Sequence, residues 1–240
     1  MQLAPSLHRV GSDMVNVYLV EDERGVTLID AGIPGLWDDL ITELNTMGRS
    51  VSDIRGVILT HGDTDHLGFA ERLLQETGAP IYVHEADAAQ AKGEHEKKNP
   101  RWGKLRIGPT VSFLWYAGRR GGLKVHPVSE VVTVQDGQTL DLPGDPRVIH
   151  SPGHSPGSIV IHSVAVDALF VGDAMTTRHV LTGARGPQPA PFTLNPDEAM
   201  ASLKKWQGLD ARWVLPGHGP PWDDGVDEAV KRIETAFDEE

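Results

Sequence analysis

The sequence predicts an α/β fold of four layers: an αββα sandwich with two mixed sheets face to face and helices outside. Three observations carry that reading. Strand-length apolar runs alternate with helical periodicity over the first third of the chain, and a second group of strands later runs into helices again. Clusters of His and Asp, spread from residue 61 to residue 218, also stand just beyond the ends of expected strands. Two separate domains fit these clusters poorly, because side chains so far apart in sequence have to converge. Residues 1–240 are therefore read as one domain with a cap inserted around 92–124.

The elements follow in order. Met14 to Val20 and Val26 to Asp30 read as strands joined by the polar turn Glu21-Asp22-Glu23-Arg24-Gly25. Leu36, Trp37, Leu40, Ile41, Leu44 and Met47 mark one face of a helix that Gly48 closes. Arg55 to Leu59 is the next strand, Leu67 to Glu76 a helix, and Ile81 to Val83 a strand. Residues 92–124 break the rhythm. They contain Pro100 and Pro109 but also Trp102, Phe113, Leu114, Trp115 and Tyr116, too aromatic a set for a disordered linker, so a partly helical cap is expected. Strands resume at Val131–Val134, Thr139–Leu142, Arg147–His150, Ser158–His162 and Ala168–Val171. Asn195-Pro196-Asp197-Glu198 is a helix start, with Asn as N-cap, Pro at the first turn and Glu at the third position. Met200, Leu203, Trp206 and Leu209 supply the buried face of that helix. Arg212–Leu215 is the last strand, and Val226, Val230, Ile233 and Phe237 stripe a terminal amphipathic helix.

Composition narrows the chemistry. The chain has no cysteine, so any metal is held by nitrogen and oxygen. A formal charge of −12 argues against nonspecific nucleic-acid binding. No apolar run approaches a membrane span, and no basic-then-apolar signal segment opens the chain, so a cytoplasmic location is expected. The charge is uneven: residues 92–124 hold nine Lys or Arg against two Glu, a local +7 that leaves −19 on the remainder. Such a basic segment suits a solvated surface or a contact with a second copy in a homodimer. It also suits a flap that attracts an anionic substrate.

The densest chemistry is Thr60-His61-Gly62-Asp63-Thr64-Asp65-His66, directly after the apolar run Val57-Ile58-Leu59. A capping turn needs one polar side chain of this kind. Two imidazoles and two carboxylates beside a core are costly unless they are paired or hold a metal. His154, Asp173 and His218 join them, each flanked by glycine within the motifs Pro152-Gly153-His154, Gly172-Asp173 and Gly217-His218-Gly219. Four imidazoles and three carboxylates exceed the needs of one zinc and suit two divalent ions. The spacing suggests His61 and Asp63 on one ion and Asp65 and His66 on the other. His154 completes the first set, His218 the second, and Asp173 bridges. Carboxylate bridges over about 3.5–4 Å are what a two-metal hydrolytic centre needs.

These motifs resemble the metallo-β-lactamase-fold hydrolase superfamily, whose pattern is His-x-His-x-Asp-His followed by a distant His, Asp and His. The pattern falls on His61, Asp63, Asp65, His66, His154, Asp173 and His218, and the likeness runs from about residue 10 to 222. It implies the fold, a dinuclear centre with zinc as the default ion, and a catalytic role for Asp65 in orienting a metal-bridging hydroxide. The departure is Asp63, where the pattern has histidine. The extra carboxylate lowers the formal charge of the first shell from about +1 to about zero, which favours harder ions such as manganese or iron.

The expected function is metal-dependent hydrolysis of a small acyl substrate: an ester, lactone or thioester. Phosphodiester hydrolysis and β-lactamase-like amide hydrolysis use the same centre, and a non-catalytic metal-binding or structural protein is the remaining alternative. Substrate contacts are expected from Arg178 and His179, and from Trp102, Trp115 and Tyr116 of the cap. Phe113 joins the three cap aromatics as lining for an apolar pocket, and Lys97, Lys98 or Arg101 suits an anionic group.

Overall fold

The computed structural model describes residues 1–94 and 104–238. Its first sheet has seven strands in sequence order: β1 (Gln2–Ala4), β2 (Leu7–Ser12), β3 (Val15–Asp22), β4 (Gly25–Ile29), β5 (Ile54–Ile58), β6 (Ile81–His84) and β7 (Val132–Val134). The first four are antiparallel neighbours, whereas β4 to β7 run parallel. Parallel strands need crossovers, and helices provide them. Helix α1 (Trp37–Thr46) joins β4 to β5, and α2 (Ala70–Thr77) joins β5 to β6. Helices α3 (Ala88–Ala91) and α4 (Ile107–Arg119) lie between β6 and β7.

The second sheet holds β8 (Arg147–His150), β9 (Ile159–Ser163) and β10 (Ala168–Gly172) as an antiparallel meander. A hairpin of β11 (Thr176–Arg178) and β12 (Arg185–Gln188) follows, then α5 (Pro196–Ser202). Strand β13 (Trp213–Pro216) returns parallel to β10, giving the order β13-β10-β9-β8, and α6 (Val226–Asp238) closes the described chain.

Three apolar clusters define the layers. Leu7, Tyr18, Val20, Ile29 and Ile58 of the first sheet pack against Val148, Ile161, Phe170 and Leu215 of the second, forming the core between sheets. The other face of the first sheet meets Trp37, Leu40 and Leu44 of α1 and Leu73 of α2. The other face of the second meets Leu203 and Trp206, with Val226, Val230 and Ile233 of α6. Helix, sheet, sheet, helix is the expected αββα order. No helix among the described residues is long and apolar enough to cross a membrane.

Several local expectations need correction. Thr139–Leu142 is not a strand and makes only a bridge from Thr139 to Arg147. The turn through Pro143-Gly144-Asp145-Pro146 tightens at once, leaving Leu140 and Leu142 buried but outside any ladder. Helix α2 starts at Ala70 rather than Leu67 because Thr64 to Phe69 are spent in turns and a bend. Helix α5 ends at Ser202 and passes into a 3-10 turn, so Trp206 and Leu209 reach the core from beyond it. Strands β1 and β2 and the β11–β12 hairpin went unanticipated. Leu7 and His8 are both buried, which spoils the alternation, and the hairpin is short and polar.

At one end the sheets are sewn together by hydrogen bonds rather than by apolar contact. Ile159 N donates to Thr60 O at 2.9 Å, and Asn16 N to Gly217 O at 2.9 Å. The Asn16 side-chain amide and the Tyr18 hydroxyl both donate to Pro216 O at 2.8 Å. The ligand loops emerge at this end.

Candidate metal centre

Each predicted ligand follows a strand. His61, Asp63, Asp65 and His66 lie beyond β5, His154 lies between β8 and β9, Asp173 follows β10 and His218 follows β13. The structure brings all seven together. His61, Asp63 and His154 form one group, and Asp65, His66 and His218 a second. A third, of His61, His66 and Asp173, lies across them, with the ligand atoms in each group within 4.8 Å of one another.

The spacing fits a cation better than hydrogen bonds. Asp63 Oδ2 stands 3.5 Å from His61 Nε2 and 3.3 Å from His154 Nε2. Asp65 Oδ2 is 3.4 Å from His218 Nε2. Asp173 reaches both groups, with Oδ1 3.4 Å from His66 Nε2 and Oδ2 3.3 Å from His218 Nε2 and 3.8 Å from His154 Nε2. Charge-assisted hydrogen bonds are shorter, whereas two ligands on a tetrahedral ion with bonds of about 2.0–2.1 Å sit about 3.4 Å apart. His61 Nε2, His66 Nε2 and Asp173 Oδ1 are buried with no hydrogen-bond partner. A donor-rich, buried and unsatisfied cluster is costly as it stands and relieved by a metal.

The outer contacts fix the imidazoles for that role. His66 Nδ1 faces Asp30 Oδ2 at 2.8 Å, and His218 Nδ1 faces Met14 O; both partners only accept, so each Nδ1 carries hydrogen. The Thr60 hydroxyl donates to Asp30, at 2.9 Å to Oδ2, and so accepts from His61 Nδ1 at 3.0 Å. The Thr193 hydroxyl donates to Ala190 O at 2.8 Å and accepts from His154 Nδ1 at 3.3 Å. All four rings thereby turn a lone pair on Nε2 inward, the tautomer that metal binding requires.

Electrostatics agree. Burial alone pulls down the pKa of His218, yet Asp173 and Asp65 hold it up to about 10. His66 is raised well above its usual value against burial by Asp30 and Asp173, and His154 is raised by Asp63 and Asp173. In return His218 and His66 hold Asp173 well below the usual carboxylate range despite its burial, and His154 and His61 do the same for Asp63. Without an ion the site draws protons, so its field is built for positive charge.

Asp30 and Asp87 were not singled out by sequence. Asp30, at φ 64°, orients His66 and Thr60 from the end of β4. Its signal was available, since a carboxylate closing an apolar strand is the pattern that marked Asp173. Asp87 accepts from Gly62 N at 3.0 Å, Ser155 Oγ at 2.6 Å and Gly157 N at 2.7 Å, pinning two ligand loops to each other. Nothing local in the sequence reveals such a strap. Gly217 is required sterically: a Cβ there would lie 2.4 Å from His66 Cε1 and 2.6 Å from Asp173 Oδ1.

The expected substrate contacts are dispersed. His179 is buried, accepts from Thr182 N at 3.2 Å and lines a cavity with Thr193, while Arg178 is half-buried on β11. Trp115 is 61% exposed on α4 with Arg119 over its ring, and Tyr116 accepts from Ser12 Oγ at 3.2 Å. The α4 aromatic that meets the ligands is Phe113, edge-on to His218 with centroids 6.0 Å apart. Trp102, Lys97, Lys98 and Arg101 lie outside the described residues.

Comparison with known proteins places this geometry. The Bacillus subtilis probable metallo-hydrolase YflN is 27% identical over 233 residues, covering 92% of this chain and 86% of its own length. The Aspergillus fumigatus atrochrysone carboxyl ACP thioesterase is 28% identical over 168 residues, covering 62% of this chain and 48% of that protein. The crystal structure of TTHA1623 in a di-iron-bound form superposes with a TM-score of 0.63 at 26% identity, over 92% of this chain and 96% of its own. The profile of the Metallo-beta-lactamase superfamily matches residues 10–218, from β2 through the last proposed ligand, and the chain belongs to that superfamily.

Proposed function

We propose that this metallo-hydrolase cleaves a small acyl substrate (an ester, lactone or thioester) at a centre of two divalent ions. His61, Asp63 and His154 would hold the first ion and Asp65, His66 and His218 the second, with Asp173 between them. Zinc suits the nitrogen and oxygen donors and their spacing. The observation that carries the reading is the pair of three-residue groups around a shared Asp173, with three buried ligand atoms left unpartnered. Two such ions supply an activated water at neutral pH and polarisation of the attacked carbonyl.

The chain's own residues supply orientation and access. His61, His66, His154, Asp173 and His218 are at most 6% exposed, whereas the side chains of Asp63 and Asp65 are 37% and 28% exposed. Substrate therefore enters from the side of residues 63–65. In the metal-free protein burial pushes the pKa of Asp65 up, but His218 and His66 more than offset it and keep the carboxylate ionised. It is thus an acceptor that can orient a water by hydrogen bonding. As proposed ion ligands Asp63 and Asp65 are both deprotonated in the loaded centre, so neither open-side carboxylate starts with a proton for a departing amine. That favours alkoxide or thiolate leaving groups over amide cleavage.

A mostly apolar cavity of about 280 Å³ adjoins the loops carrying His154 and Asp173, lined by Ala174, His179, Thr193, Met200 and Leu203, and it has room for an acyl chain. The similarity to a fungal acyl-carrier-protein thioesterase supports the same substrate class. The test is a panel of lactones, thioesters and aryl esters assayed beside bis-(p-nitrophenyl) phosphate. Acyl turnover is expected to vanish with chelator and return with zinc. Turnover confined to the phosphodiester would replace the substrate assignment, and two bound metals with no turnover across the panel would remove the catalytic one.

A further inference from the structure

We propose that Gln90 fixes Asp63 as a one-oxygen ligand and so sets the affinity and ion preference of the first metal position, an assignment that rests on the dinuclear reading above. Asp63 departs from the family pattern, and a carboxylate raises a problem that imidazole does not. It has two equivalent oxygens and can swing between one-oxygen and two-oxygen binding, or turn to water. At 37% exposure, water competes for it.

The structure shows a restraint. Asp63 Oδ2 points to His61 Nε2 and His154 Nε2, while Oδ1 takes a hydrogen bond from Gln90 Nε2 at 2.5 Å. A carboxylate only accepts, so the end of the amide facing it is the NH2 group. Gln90 is itself held: its Cβ and Cγ lie 3.1 Å from where a Gly62 Cβ would stand, so the side chain runs closely over Gly62 between His61 and Asp63. Asp87, three residues earlier, is bonded to Gly62 N and to the His154 loop. The helical segment through residues 85–91 therefore fixes the backbone of the first position through Asp87 and its variant ligand through Gln90.

Two effects follow. Occupying Oδ1 leaves a single oxygen for the ion, which keeps the ligand count low and suits zinc rather than ions preferring more oxygens. Donating a hydrogen bond also withdraws charge from the carboxylate and offsets part of the negative charge that Asp63 adds relative to histidine. Gln90 touches no reacting atom. It is a positioning residue.

The experiment measures metal binding by chelator competition, with zinc and with manganese, for wild-type protein, Gln90→Leu, Gln90→Ala, Asp63→His and the double variant Asp63→His/Gln90→Leu. The visible spectrum of each cobalt-substituted protein reports coordination number independently. Both Gln90 variants are expected to weaken one of the two zinc constants by about 10- to 100-fold, with the other unchanged. Manganese should lose less than zinc, and the cobalt bands should weaken as coordination rises. In the Asp63→His background, Gln90→Leu should change zinc binding less than about 2-fold, because imidazole has no second oxygen to restrain. Unchanged zinc constants in both Gln90 variants overturn the assignment, as does an equal loss in the Asp63→His background, which would make Gln90 a packing residue. Wild-type protein binding fewer than two zinc ions overturns the dinuclear reading instead, and this assignment with it.

Discussion

Three of the proposed imidazole ligands, His66, His154 and His218, are set up to exchange protons for metal. Outer partners hold the Nδ1 hydrogens of His61, His66, His154 and His218, so Nε2 is the nitrogen each ring offers to an ion. In the metal-free protein Asp173 and Asp65 raise the pKa of His218 from 6.5 to about 10, and His66 and His154 are raised as well. A raised folded-state value stabilises the folded form fully below the unfolded value of 6.5, and that stability is lost as pH rises through about 10. Asp173 and Asp63 are lowered by the same pairs, so their share is present above the unfolded carboxylate value of 3.8 and is lost as pH falls below it. Metal-free protein is thus expected to lose stability on the alkaline side between about pH 7 and 10, which thermal unfolding across that range would detect. Zinc-loaded protein should not, because the ion replaces the protons. Calorimetry at pH 7.5 in buffers of differing ionisation enthalpy should show protons released as zinc binds. No release, with a flat alkaline profile for metal-free protein, would count against these ion pairs.

Elements matter here mainly as carriers of strand ends. The loop at 60–66 was legible because a concentrated polar cluster directly after a buried apolar run has few explanations. His154, Asp173 and His218 were legible through the same strand-end placement and their neighbouring glycines. The braces were not. Asp87 and Gln90 sit in the short helical segment after β6, Gln90 within α3, and their partners lie 25 to 70 residues away, at Gly62, Asp63, Ser155 and Gly157. Periodicity reports which face of an element is apolar, and it carries no information about which distant loop a single carboxylate will grip. For the same reason β2 escaped notice, since it buries His8 next to Leu7, a pattern that only a tertiary partner such as Glu43, 2.7 Å from His8 Nδ1, makes tolerable. Asp87→Ala removes three hydrogen bonds to a buried carboxylate and leaves the Gly62 and Gly157 N–H groups unpaired, while the Ser155 hydroxyl keeps Ser158 Oγ at 2.8 Å. It is expected to destabilise the fold by about 2–4 kcal/mol. Zinc at the first position should weaken more than at the second, because the grip on Gly62 and the 155–157 loop serves His61, Asp63 and His154. Chemical denaturation together with metal titration separates the two effects. An unchanged midpoint would show that the strap contributes nothing.

Across the whole molecule, the ligands are divided between the two sheets. His61, Asp63, Asp65 and His66 come from the first, and His154, Asp173 and His218 from the second. Each three-residue group draws on both: His61 and Asp63 with His154, and Asp65 and His66 with His218. An ion in either group is therefore a tie between sheets, placed at the end where Ile159–Thr60 and Asn16–Gly217 already join them, beyond the apolar core of Ile58, Phe170 and Leu215. The unfolded chain cannot assemble such a site, so metal binding stabilises the folded state by mass action. At free metal about 1,000-fold above the dissociation constant, this is worth about 4 kcal/mol. For a chain of this size that corresponds to about 8–16 °C in melting temperature. Chelation should lower the melting point by that order, and the midpoint should climb with the logarithm of free zinc. Hydrogen exchange gives the more specific readout. Because the tie is shared, removing metal should speed exchange in β5 and in β10 and β13 together, with β1 and β7 at the sheet edge affected least. Acceleration confined to one sheet would mean that the ions sit within a single set of loops rather than between the two.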